Sequence, residues 1–265
     1  MPFPPPKILL LLALILLAAC GGPGVPATPE AASLSPTPSA LPTATPDRTA
    51  TTQARTATAQ AQAHASATAL AATAVAEELF GRGLVIFRDE FVDNRNAWYT
   101  GVFQEIETNT IEDGVFKVQW SGRGTSYELY MVRELSNFIA EVDCQIVAGG
   151  SDASCGLIFG QREDIGYYKY EIFADYFRLF VIRAVGEPRT LAEGNPAEFW
   201  RSGEANRLRA VREGDQLRIF LNGFLLGEAE DATYPEGKIG VTTSSYADAG
   251  GAVLWFDDFV IWELP

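Results

Sequence analysis

Any chemistry in this chain has to come from carboxylates and their cationic neighbours. The sequence holds a single histidine, His64, and three cysteines, against 34 Asp and Glu. His64 sits in an Ala/Thr/Gln-rich run, and residues 80 to 265, which carry all five tryptophans, contain no histidine. That excludes a Ser/His/Asp triad, a Cys/His dyad and a histidine-ligated zinc site from this part of the chain. Glu141 and Asp143 stand two apart in FIAEVDCQIV, a spacing that puts both carboxyls on one face of a strand. In YYKYEIFADYFRLFVI a turn at Ala174-Asp175 sets Glu171 opposite Arg178. A turn at Glu213-Gly214 places Arg207, Arg209 and Arg218 on one face. Each group can hold a polar ligand or a cation. Each also has a blander reading, the wet side of an alternating strand, and that reading leads.

The elements that must position these residues are short strands. Asn206 to Asp231, NRLRAVREGDQLRIFLNGFLLGEAED, reads as two successive hairpins, the first closed at Glu213-Gly214 and the second at Asn222-Gly223, the residue pair a type I′ turn favours. Such a ladder needs further strands and a second apolar layer to cover it. Candidate strands follow at 84–91, 115–120, 127–132, 138–147, 155–161, 167–173, 176–182, 207–212, 216–221, 224–228, 237–243 and 253–262. With Gly, Asn and Asp turns between them and no helical period after Gly81, they predict an all-β, antiparallel two-sheet sandwich over residues 80–265. Tyr168, Tyr170, Ile172, Phe177, Leu179 and Val181 are assigned to the core face. A symmetric turn near Gly149 to Asp152 pairs Cys144 directly with Cys155 as neighbours in one ladder, within disulfide range; two buried thiols are the alternative.

Ahead of the sandwich the composition changes. Residues 21–79 form a tether, rich in Pro, Thr, Ser and Ala to about Pro46 and then an Ala/Thr/Gln run that is expected to be helical over about 50 to 79 without packing on anything. Residues 1–20 join one lysine, Lys7, to a run of about a dozen apolar residues, too short to span a bilayer comfortably and suited to a signal peptide. From Phe80 onward there are 17 Lys and Arg against 30 Asp and Glu, a formal balance of −13. Nucleic acid is a poor partner for such a field.

Leu17-Ala18-Ala19-Cys20 resembles the lipobox of bacterial lipoproteins. The resemblance implies cleavage before Cys20, lipidation of Cys20, and a domain tethered on the extracytoplasmic side of a bacterial cell envelope. An ordinary secretory signal ending in Cys is the alternative. With Cys20 lipidated, Cys144 and Cys155 remain as an exported pair, which favours a bridge.

The order of RDEF, Trp98, NRLRAVREGDQLRIFLNGFLL, Gly237-Lys238-Ile239-Gly240-Val241 and FDDFVIW resembles the concanavalin A-like lectin/glucanase superfamily, in particular laminin-G-like and 3-keto-disaccharide-hydrolase-like domains. It implies a jelly roll whose concave face holds sugar in many relatives. Family 16 glucanases of the superfamily carry Glu-x-Asp-x-x-Glu; Glu141-Val142-Asp143 matches the first half, but Ile146 stands where the second Glu belongs. The acid/base is therefore missing for retaining hydrolysis, which needs two nearby carboxyls. Relatives often hold a structural calcium against the terminal strands, for which Asp89, Glu90, Asp257 and Asp258 are the candidate ligands. Tyr99 and Trp200 are candidate sugar platforms. The expected function is glycan binding without catalysis; a saccharide-active hydrolase or lyase using acidic residues alone, and a structural or protein-interaction module, are the alternatives.

Overall fold

The computed structural model describes Ala74, Glu78 and residues 80–265 apart from 163 and 164. The expected signal peptide, Cys20, His64 and nearly all of the expected tether with its helix lie outside the described residues; Ala74 and Glu78 are helical.

The described chain is an antiparallel β-sandwich. In order the strands are β1 (Leu84–Asp89), β2 (Gly101–Phe103), β3 (Glu107–Glu112), β4 (Val115–Trp120), β5 (Gly124–Leu135), β6 (Phe138–Ala148), β7 (Ala153–Arg162) and β8 (Gly166–Ile172). They continue with β9 (Phe177–Arg183), β10 (Arg189–Gly194), β11 (Asn206–Glu213), β12 (Gln216–Leu221), β13 (Phe224–Glu230), β14 (Gly237–Ser245) and β15 (Ala252–Glu263). The larger sheet runs β13-β12-β11-β6-β15-β4-β3-β2, with β1 also paired to β15; the smaller runs β10-β9-β8-β7-β14-β5. A bulge at Asp257-Asp258, where Asp258 takes a φ of 48°, lets one side of β15 pair first with β4 and then with β1.

Alternation decides what each strand gives the core. Ala140, Val142 and Cys144 of β6 and Leu208 and Ala210 of β11 face Cys155, Leu157 and Phe159 of β7 and Tyr168, Tyr170 and Ile172 of β8, all of them buried. The β8/β9 hairpin has the expected register, Glu171 opposite Arg178 and Tyr170 opposite Leu179. Asn222 and Gly223 both take positive φ, as a type I′ turn requires.

Three expectations change. The first hairpin turns at Gly214-Asp215, since Glu213 pairs with Gln216; Gly214 alone takes positive φ, as at the first central position of a type II′ turn. Cys144 and Cys155 are joined as a disulfide, but not as ladder neighbours, because β6 belongs to the larger sheet and β7 to the smaller. Left-handed Gly149 and a short 3-10 turn at Gly150–Asp152 carry the chain from one sheet to the other. Finally, β2, β3 and β10 were not expected. β3 reads ETNTIE and buries its polar Glu107 and Asn109, which hides the apolar alternation that marks a strand.

Candidate functional site

The charged candidates fall on two opposite outer faces of the sandwich. On the larger sheet, β11 lies beside β6 so that Arg207 faces Asp143 and Arg209 faces Glu141. Arg207 grips Asp143 through two hydrogen bonds of 2.7 Å, and Arg209 Nε donates to Glu141 Oε2 at 2.8 Å. Asp143 raises the Arg207 pKa, and Glu141 and Asp258 add to it. The pair that resembled half a glucanase motif is thus engaged by arginines. Arg218 shares this face, beside Glu228 on β13, with Nη1 buried and without a hydrogen-bond partner. A polar depression of about 410 Å³ lies over Asp143, Arg201, Arg207 and Asn222, with no aromatic wall.

The outer face of the smaller sheet is different. Glu171 on β8 is 0% exposed although its side chain points away from the core. Lys169 Nζ reaches its Oε2 at 2.8 Å and Arg178 Nε its Oε1 at 2.6 Å, while Tyr246 Oη lies 3.4 Å from Oε2. Lys169, 3% exposed, spends its remaining donors on Ser244 Oγ at 2.8 Å and Thr125 Oγ1 at 3.0 Å. Burial would raise the Glu171 pKa, but Lys169 and then Arg178 outweigh it and hold the carboxyl ionised. Burial pushes the Tyr167 phenol up to about 12, so it stays a neutral donor.

Above this network sits an open cavity of about 330 Å³, walled by Tyr167, Phe180, Tyr246 and Pro188 and floored by Lys169 and Arg178. The Arg178 guanidinium lies 4.0 Å from the Phe180 ring centroid, and the side chain remains 31% exposed. Beside the cavity the Tyr167 ring meets that of Tyr127 on β5 at 5.5 Å. A mostly apolar trough with a few fixed polar groups suits a ligand that is apolar on one face and hydroxylated on its rim. Lys169, Tyr167, Phe180 and Tyr246 were missed by sequence reading. Tyr246 joins from the loop after β14, 75 residues from Glu171, a contact that no local pattern announces.

The remaining candidates lie elsewhere. Tyr99 is 44% exposed and its hydroxyl donates to the Val102 carbonyl; Trp200 is partly buried and packs against the core. The proposed calcium ligands do not assemble. Asp89 accepts from Phe91 N, Asn96 Nδ2 and Trp98 Nε1, Glu90 faces Arg88, and Arg207 reaches Asp258, so the N–H donors and arginines occupy the oxygens that a cation would need. Asp257 accepts from the Asp258 N–H. A further depression of about 460 Å³ opens between β1 and the free edge of β5, lined by Phe87, Trp98, Tyr130, Met131 and Glu128. Burial pushes the Glu128 carboxyl up to about 7, with the like charge of Glu107 adding to the effect and the Tyr99 N–H opposing it.

No protein-family model matches the chain, and no curated protein matches it. Solved structures do. A protein of unknown function with a galectin-like fold from Bacillus subtilis superposes with a TM-score of 0.54 at 11% identity, covering 69% of this chain and 99% of that one. The laminarinase catalytic domain from Thermotoga maritima MSB8 gives 0.53 at 9% identity over 68% of this chain and 98% of its own. The carbohydrate-binding module CBM66 from Bacillus subtilis gives 0.48 at 23% identity over 62% and 95%. At these identities the first two likenesses establish the fold, a concanavalin A-like jelly roll, and leave the ligand to the site itself.

Proposed function

We propose that this protein is a lipid-anchored, extracytoplasmic binding protein whose sandwich holds a glycan on the outer face of the smaller sheet, without catalysis. The observation that carries the reading is the trough above Glu171, where aromatic rings flank a partly exposed Arg178 fixed by a buried carboxylate. Sugar rings stack their C–H faces on aromatic side chains and hand their hydroxyls to planar charged groups, and this trough offers both. The same fold serves the laminarinase catalytic domain, which supports a saccharide as the ligand class. Catalysis finds no support in the trough. Glu171 is its buried carboxylate and is held ionised by two cations, so it has no proton to give a leaving group. Cys20 and the spacer of 21–79 supply the anchor and the reach in this proposal, through the lipobox likeness of Leu17 to Cys20.

The test is a glycan array and polysaccharide pull-down with the full-length protein, repeated with Phe180→Ala, Tyr167→Ala and Arg207→Ala. Binding that falls at least tenfold for the first two and survives in the third supports the smaller-sheet trough. Loss in Arg207→Ala alone moves the site to the larger sheet, and no binding across the array overturns the glycan reading.

A further inference from the structure

The cavity above Glu171 carries a charge opposite to that of the domain around it. Among the described residues, those lining it include three cations, Arg123, Lys169 and Arg178, and no Asp or Glu. From Phe80 onward the chain as a whole holds 30 Asp and Glu against 17 Lys and Arg. A cationic hollow in so acidic a domain is set by placement rather than by composition.

Positive charge is also in excess there. Glu171 is the carboxylate beneath the hollow and both its oxygens are taken, Oε1 by Arg178 Nε and Oε2 by Lys169 Nζ. One negative charge faces two positive ones, and a surplus out of water is costly until a counter-charge meets it. The neighbouring carboxylates are engaged elsewhere or too exposed to supply it. Glu193 stands opposite Arg178 across β9 and β10, yet its carboxylate accepts from the Tyr176 hydroxyl. Asp248 comes within 3.9 Å of Arg123, but both side chains are exposed, and such a pair is worth little.

The three cations differ in what they can offer a ligand. Lys169 gives all its donors to Glu171, Ser244 and Thr125, so it contributes charge rather than contact. Arg178 commits Nε to Glu171, lies over Phe180 and borders the Tyr246 hydroxyl, with the rest of its guanidinium toward the open cavity. Arg123, 5.9 Å from the Tyr246 ring centroid, brings a second exposed cation to the same space.

We propose, resting on the glycan reading of this trough, that its ligand is an acidic saccharide whose carboxylate or sulfate meets the exposed guanidinium of Arg178, with Arg123 beside it. The sugar ring packs on Tyr167 and Phe180. A guanidinium presents paired N–H donors that match two oxygens of such a group. The acid groups are sparse along the saccharide, because the acidic surplus of the rest of the domain repels a dense polyanion.

The experiment places the full-length protein on an array of neutral, uronate-bearing and sulfated oligosaccharides, then titrates each ligand retained beside its methyl-esterified or desulfated form. Neutralising the acid is expected to weaken binding at least about tenfold, the loss of one charge-assisted contact, and so is Arg178→Gln. Arg178→Gln also takes a partner from Glu171, so Arg123→Gln, an exposed change, is the second variant and is expected to weaken acidic ligands severalfold. Arg201→Gln, which removes a charge over the larger sheet, is expected to change nothing. Retention of uronates alone assigns the group as a carboxylate, and of sulfated ligands alone as a sulfate. Neutralised ligands bound as tightly as acidic ones, with binding still lost in Phe180→Ala, overturn the acidic ligand and leave the glycan reading standing. Acidic ligands lost in Arg201→Gln and kept in Arg178→Gln and Arg123→Gln also overturn it, since the acid then lies elsewhere. An array that retains nothing overturns both.

Discussion

Cys144 on the larger sheet and Cys155 on the smaller are bridged with their Cα atoms 6.6 Å apart, well inside the ~10 Å that separates packed sheets. The sheets pinch together at this end, where Gly149, Ala153 and Ala252 crowd so closely that a Cβ on Gly149 would meet Ala252 at 2.9 Å. The bridge therefore ties the two layers directly, over a separation of only 11 residues in the chain.

Replacing both cysteines with serine is expected to cost about 3 kcal/mol, the loop-closure entropy of so short a ring, and to lower the thermal midpoint by about 6–12 °C while the protein still folds. Differential scanning calorimetry of the parent with and without reductant, beside the double variant, checks it. A midpoint indifferent to reductant contradicts the bridge.

Lys169 and Glu171 form the most buried ion pair of the trough. Lys169→Met leaves a fully buried carboxylate with one partner fewer and is expected to cost about 3–5 kcal/mol. Lys169→Met combined with Glu171→Leu is expected to recover much of that loss, because the one charge left without its partner, Arg178, is 31% exposed and can turn to solvent. Urea unfolding of Lys169→Met, Glu171→Leu and the double variant measures it; a double loss equal to the sum of the two single losses would show that the groups are not coupled.

Asp231 sets part of the acid limb of stability. Burial raises its pKa, but the Thr233 hydroxyl, then the Tyr168 hydroxyl and the Thr233 N–H, with Arg189 beside them, overcome this and hold it at about 2. A carboxyl depressed in the folded state stabilises above its unfolded pKa of about 4, and the contribution is lost as pH falls from about 4 through about 2. Asp231→Asn is expected to lose on the order of 1–2 kcal/mol at neutral pH, allowing for the half-exposed Arg189, and to flatten the acid limb. Denaturant melts between pH 2 and 7 give the comparison.

Asp89 gathers three donors from the turn that follows β1. It receives the Trp98 indole N–H and the Asn96 amide at 2.6 Å each and the Phe91 N–H at 2.8 Å. Asp89→Ala leaves three donors unmet and is expected to cost about 3 kcal/mol or more, with a changed Trp98 near-UV signal. Asp89→Asn should keep part of the network and lose less.

Much of the sandwich was legible because alternation is a local signal. Val115 to Trp120 and Gln216 to Leu221 could be bounded to the residue, and the Glu171–Arg178 pairing followed from one turn. What hid β3 was polarity: Glu107 and Asn109 occupy positions that a strand pattern reserves for apolar side chains. Glu107, unreadable as core, lines the small gap between β3 and β5. The turn lies one residue beyond Glu213-Gly214, yet the arginines keep their face because either turn pairs odd-numbered residues of β11 with even-numbered residues of β12.

By itself the sequence determined an all-β domain over residues 80–265, the facing of the strands with clear apolar alternation, and the lack of histidine chemistry there, since side chains alternate wherever a strand forms and composition needs no fold. Only the tertiary structure decided which sheet each strand joins. That placed Cys144 across the core from Cys155, put Glu141 and Arg209 on the opposite outer face from Glu171 and Arg178, and brought Glu107 to Glu128. The physical reason is that sheet membership rests on pairing between residues far apart in the chain, such as β6 with β15, which no local spacing encodes.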